Sequence, residues 1–135
     1  MPQFLLLVYN DETLLNELPT TEFNGMMRDC LAKADDLVQK GTLLGFQQLE
    51  APRTAKSVRS RAGKTTVVDG PFAEAKEMLG GFNLIEAADM DEAVRMAMEL
   101  PWASTGCIEV RPVKSIAAVR RQVGAPETAQ AGAGA

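Results

Sequence analysis

The chain has no histidine. That removes the commonest general acid–base and the commonest metal ligand from any chemistry it performs. Catalysis would have to rest on carboxylates, cysteine, lysine, tyrosine or backbone groups. Cysteine is scarce as well, with Cys30 and Cys107 the two thiols among 135 residues. Two thiols so far apart make neither a disulfide framework nor a zinc-ligand spacing, so no metal or other cofactor is expected. No apolar run is long: the opening MPQFLLLVYNDE is too short to cross a bilayer and has no basic leader. A cytoplasmic protein with no membrane partner is the expectation. A basic surplus is missing too. Lysine and arginine number 14 against 18 aspartates and glutamates, a formal net charge of −4, which speaks against a nucleic-acid partner.

What is present describes one folded domain. Hydrophobic residues make up 46% of the chain and charged ones 24%, a balance that supports a real core. Phe4 to Tyr9 is a continuous apolar run of strand length. Pro19-Thr20-Thr21 opens a helix, with a threonine hydroxyl available as cap. Phe23, Met27, Cys30, Ala34 and Leu37 follow on one helical face, and Gly41 is the natural stop. TLLGFQQLEAP forms a second strand. KSVRSRAGKTTVV forms a hairpin with Ala62-Gly63 at its tip. Arg53, Lys56, Arg59, Arg61 and Lys64 concentrate positive charge there, and their plain reading is a solvated hairpin edge. Gly81 to Ala87 is a further strand. Asp89 and Glu92 make a variant capping box at the start of a second helix, closed by Pro101. GCIEVRPV is the last strand, and Ser115 to Gln122 a short final helix. The low-complexity stretch 124–135 is expected to be a disordered tail behind a domain at 1–123.

The order β-α-β-hairpin-β-α-β gives an α+β, ferredoxin-like antiparallel sheet with helices on one face. The other face still carries apolar side chains. A second copy across a two-fold axis is the usual cover, so a homodimer is expected.

Three segments carry a closer resemblance: FLLLVYNDE, VVDGPFAEAKEMLGGFNLIEAADMDEAVRMAMELP and IEVRPV. Together they look like the YCII-related family in its DGPF-domain branch, from about Phe4 to about Val113. The resemblance implies a dimeric α+β barrel whose members mostly have no established biochemical function. Some members resemble small enzymes with a His–Asp pair in the cleft between sheet and helices. Many are encoded near extracytoplasmic-function sigma factors, which points to stress signalling. The motif acid is Asp69, followed by Gly70, Pro71 and Phe72. Glu74, Lys76 and Glu77 also match, while Ala75 stands where a hydroxyl residue is common. The histidine that the resemblance places on the first helix falls at Cys30, so half of that dyad is missing.

Asp69 has two readings that can coexist. It can build the turn, its carboxylate accepting N–H bonds from Phe72 or nearby, with glycine supplying an unusual φ and Phe72 anchoring the exit in the core. It can also line a cleft as base or polar anchor. Cys30, on the apolar stripe, reads first as a small buried hydrophobe. Tyr9 ends the first strand, where its phenol reaches either a cleft or an interface. Glu109 and Arg111 share a strand face and can pair with each other or across a dimer. Trp102 is expected at a subunit edge. Asp69, Gly70, Phe72, Tyr9, Cys30 and Arg111 are the candidate ligand-binding residues. The expected function is a dimeric binding or regulatory module for a small molecule, with a cleft near Asp69. The alternative is a small metal-independent enzyme with Asp69 as general base, which would need an open path to substrate.

Overall fold

The computed structural model describes residues 1–127. Its first strand, β1 (Gln3–Asp11), alternates strictly between buried Phe4, Leu6 and Val8 and half-buried Leu5, Leu7 and Tyr9. Two helices follow, α1 (Glu12–Glu17) and α2 (Thr20–Gln39), then β2 (Leu43–Gln48). A 3-10 turn over Pro52–Thr54 leads into the hairpin β3 (Lys56–Arg61) and β4 (Lys64–Asp69). The chain returns through β5 (Glu77–Glu86), α3 (Met90–Met98), a second 3-10 turn, β6 (Gly106–Pro112) and α4 (Ile116–Val123).

Four strands form one sheet in the order β2-β5-β1-β6, and every pairing in it is antiparallel. With the hairpin set aside, this is a mixed α+β, ferredoxin-like arrangement. The four-stranded sheet is open, and β3 and β4 pair with each other as a separate two-stranded sheet.

The core sits between one sheet face and the helices. Phe4, Leu6, Leu43 and Ile85 meet Ala34 of α2 and Ala87, Ala93 and Ala97 at α3. The three alanines are 0 to 6% exposed, and their small side chains let α3 lie close to the sheet. Leu6 and Ile85 are the largest fully buried side chains, each contributing about 2 kcal/mol through removal from water. Trp102, expected at a subunit edge, is instead 7% exposed and packs on Phe23 with ring centroids 5.7 Å apart. Its indole fills the end of the core beneath α2.

Local chemistry explains most boundaries. The stripe Phe23, Met27, Cys30, Ala34 and Leu37 faces inward as its spacing predicts. The start of α2 differs: Pro19 is the N-cap, makes no side-chain cap bond, and Thr20 is already helical. Asp89 does cap α3, accepting from the Glu92 N–H at 2.9 Å, and the Glu92 carboxylate reaches back to the Ala88 N–H. Ser115 caps α4 through the Ala118 N–H at 3.2 Å. α4 ends on Gly124 in the left-handed conformation, and the expected tail beyond residue 127 lies outside the described residues. Gly106 allows β6 to close on β1, because a Cβ there would collide with the Tyr9 carbonyl oxygen.

The Asp69-Gly70 step turns the chain out of the hairpin. Gly70 has φ +93°, a region open to glycine and strained for other residues. Its N–H donates to the Ala55 carbonyl at 2.7 Å, and Ser57 Oγ donates to the Gly70 carbonyl at 2.8 Å. These bonds clamp the hairpin base. Phe72, expected to anchor this exit in the core, is 77% exposed instead. The chain between β4 and β5 passes over the surface, with residues 72 to 76 all exposed.

Candidate functional site

A cavity of about 210 Å³ opens between α2 and the helix-side face of β2 and β5. Met27, Cys30 and Leu31 line it from α2, and Phe46 and Gly81 from the sheet. Its polar groups are few: Asn10, Gln47, Gln48 and Asn83 on the strands and Lys33 on α2. The Gln48 amide donates to the Met27 sulfur at 3.2 Å, bridging strand and helix. Lys33 Nζ pairs with Glu99 at 3.3 Å, which ties α2 to the end of α3. Sequence creates the void in two ways. α2 presents medium-sized Met27 and Cys30 to the sheet, and the sheet answers with glycines. The register of β1 against β5 shifts between Val8 and Tyr9, and Gly80 there leaves room for the Asn10 amide, which a Cβ would strike.

A second, wider cleft lies where β1 runs into α1. Asp11, Arg53, Pro71, Glu74 and Lys76 border it. Asp11 is 3% exposed. Its Oδ1 accepts the Thr13 and Leu14 N–H groups at 3.0 and 3.4 Å, and its Oδ2 stands 3.7 Å from Lys76 Nζ. Carboxylates and cations are interleaved here, so the cleft presents no single sign to a ligand. Asp11 was not legible as a buried carboxylate because Asn10-Asp11-Glu12 reads as the polar end of a strand. The signal was its position immediately before Glu12-Thr13-Leu14-Leu15, an N-cap placement.

The six residues singled out from the sequence fall in three places. Cys30 lines the cavity. Tyr9 and Arg111 lie on the opposite face of the sheet, in register with Cys107 and Leu5 respectively. Asp69, Gly70 and Phe72 belong to the hairpin exit. Asp69 is not among the residues lining either cleft. Its side chain is 87% exposed, and its Oδ1 accepts from Lys56 Nζ at 2.6 Å across the hairpin. The expected turn bond from the Phe72 N–H gives way to this cross-strand ion pair, because Lys56 stands directly opposite Asp69 in the β3–β4 register.

On the open face, the Tyr9 hydroxyl donates to Glu109 Oε1 at 3.1 Å. Glu109 thus pairs with the phenol, and desolvation, the hydrogen bond to Glu109 and its charge push the Tyr9 phenol above its ordinary value. Among the described residues no group of three or more Cys, Asp or Glu gathers as a metal site, and no helix is long and apolar enough to cross a membrane.

Two predictions follow from these placements. Asp11→Ala removes a cap and a buried acceptor and costs about 1 to 2 kcal/mol in urea unfolding, whereas Asp69→Asn changes stability by less than about 0.5 kcal/mol, as for other exposed pairs. Equal losses would contradict these positions. Because Tyr9 is the one tyrosine, ultraviolet titration reads it directly. Its midpoint lies above the ordinary value of about 10, and Glu109→Gln lowers it. The raised value stabilises the fold fully below the unfolded midpoint, and that contribution is lost as pH rises through the folded one.

The chain is 42% identical over 112 residues to an uncharacterized protein of Rhizobium meliloti (strain 1021), covering 82% of this chain and 90% of that one. The YCII-related domain matches residues 2–117, nearly the whole of the described structure, and the chain belongs to the YCII-related family.

Proposed function

We propose that the chain is a dimeric binding module whose ligand is a small, mainly apolar molecule held between α2 and the sheet. The 210 Å³ cavity carries this reading. Drug-sized ligands occupy pockets of about 300 to 1,000 Å³, so this one is too small for them. A dry cavity of about 150 Å³ accepts benzene, so a single ring or a short branched chain fits. Two of its polar groups, Asn10 and Gln48, stand near strand ends and can orient one hydroxyl or carbonyl. Within the family, the Asp69-Gly70-Pro71-Phe72 run supports a reading of the chain as one of the DGPF branch.

The dimer half of the proposal rests on the other sheet face. Leu5, Leu7, Phe82 and Leu84 are in register there and only half-buried. A second copy laid face to face completes their burial and makes a dimeric α+β barrel, with the Tyr9–Glu109 pair inside. The enzyme reading with Asp69 as base gains no support from geometry, because that carboxylate faces solvent beside Lys56.

A thermal-shift screen with single-ring probes such as benzene, phenol and toluene tests the cavity. Those that fit raise the unfolding temperature of the wild type, as mass action requires. Cys30→Trp fills the void and abolishes the shift while remaining folded. Equal shifts in both proteins, or none in the wild type, would overturn the cavity as the binding site.

A further inference from the structure

We propose that the β3–β4 hairpin is an arm that clasps a second copy of this chain. The inference rests on the homodimer reading above and adds to it a second, separate contact.

The hairpin does nothing for its own subunit's core. The ferredoxin-like sheet is complete without it, and no residue of β3 or β4 is buried. A lone two-stranded hairpin is marginal in water at best. This one also has an energetically awkward tip, since Ala62 takes φ +52° where a glycine or asparagine is the usual choice. It nonetheless carries apolar side chains outward. Val58 and Val67 stand directly opposite each other, 67% and 61% exposed, and Val68 is 60% exposed. Phe72, at the exit, adds a bare ring. Exposed valines on an unpaired hairpin invite sheet-edge association unless a specific partner covers them.

Charge points to the partner. Residues 53 to 69 hold five lysines and arginines and a single carboxylate, Asp69. The rest of the chain holds nine basic and seventeen acidic residues. A cationic arm on an anionic body is self-complementary between copies, whereas it repels a second arm. Each face of the arm has its own use. Lys56, Val58 and Ser60 lie on one side with Asp69, Val67 and Thr65 opposite them, while Arg59, Arg61 and Lys64 line the other. The arm also springs from a suitable corner. It leaves after β2, an edge strand, and re-enters at the neighbouring β5, so it is rooted at one corner of the sheet. A two-fold axis then gives two equivalent arms, each laid on the other body.

Amide hydrogen exchange on the full-length chain tests this, together with sedimentation equilibrium. In the dimer, amides of residues 56 to 69 whose N–H points away from the facing hairpin strand exchange slowly, and dilution to monomer releases them. Val58→Thr with Val67→Thr keeps the strand preference and removes the apolar contact. It weakens the dimer about tenfold or more, and Arg59→Gln with Arg61→Gln makes dissociation less sensitive to salt. Cross-strand amide protection in each variant shows that the hairpin itself still forms. A wild-type dimer with unprotected arms and unchanged affinity in both variants overturns the arm and leaves the sheet-face dimer standing. A monomeric wild type overturns both. Protection that appears only on adding a mixed-sequence RNA or DNA oligonucleotide assigns the cationic ribbon to nucleic acid instead, and overturns the arm.

Discussion

The structure depends on one constraint: β1 is apolar on both faces, and the helices cover only one. Phe4 and Leu6 are buried in the core with residues of α2 and α3, and Val8 is buried on the same face, whereas Leu5, Leu7 and Tyr9 point to an open face. As a central strand between β5 and β6, β1 transmits that asymmetry to its neighbours. Phe82 and Leu84 of β5 pair with Leu7 and Leu5, so the open face is a continuous apolar surface, edged on β6 by Glu109 and Arg111. Completing its burial is worth about 25 cal/mol for each Å² removed from water, the same force that holds the core on the other side.

The two faces divide the work. The helix side holds the core and, where α2 stands off the sheet, a void. That void exists because Met27 and Cys30 meet a strand pair with a shifted register and two successive glycines, not because of any charged constellation. The chain has no histidine, and its conspicuous acid is paired with lysine on a solvent-exposed hairpin. The buried carboxylate, Asp11, is committed to backbone N–H groups at the start of α1.

Much of the fold was legible because its determinants are local. The apolar run of β1, the three-and-four spacing of α2, the Asp89–Glu92 cap and the Ala62-Gly63 tip all act within a few residues, and each stands where those rules place it. Missed features depend on distant partners. Asp11 and α1 were overlooked because a capping aspartate and a strand-ending aspartate look alike until the next turn is seen. Trp102 and Phe72 exchanged roles: the tryptophan found Phe23, seventy-nine residues away in sequence, while the phenylalanine of the sharpest motif stands exposed. Local turn chemistry explained Gly70 and its φ. It could not reveal that Asp69 would face Lys56 and not a cleft, since that follows from hairpin register. Nor is a cavity written in periodicity, because it is the space that side chains fail to fill.

Sedimentation equilibrium of the full chain beside Leu7→Glu tests the central claim most directly. Leu7 is only half-buried in the single subunit, so a glutamate there is tolerated by the fold and penalised at a covered face. The account predicts a wild type at twice the chain mass in the micromolar range and a folded, monomeric variant. A wild type that stays monomeric at every accessible concentration, or a variant that dimerises as tightly as the wild type, would contradict it.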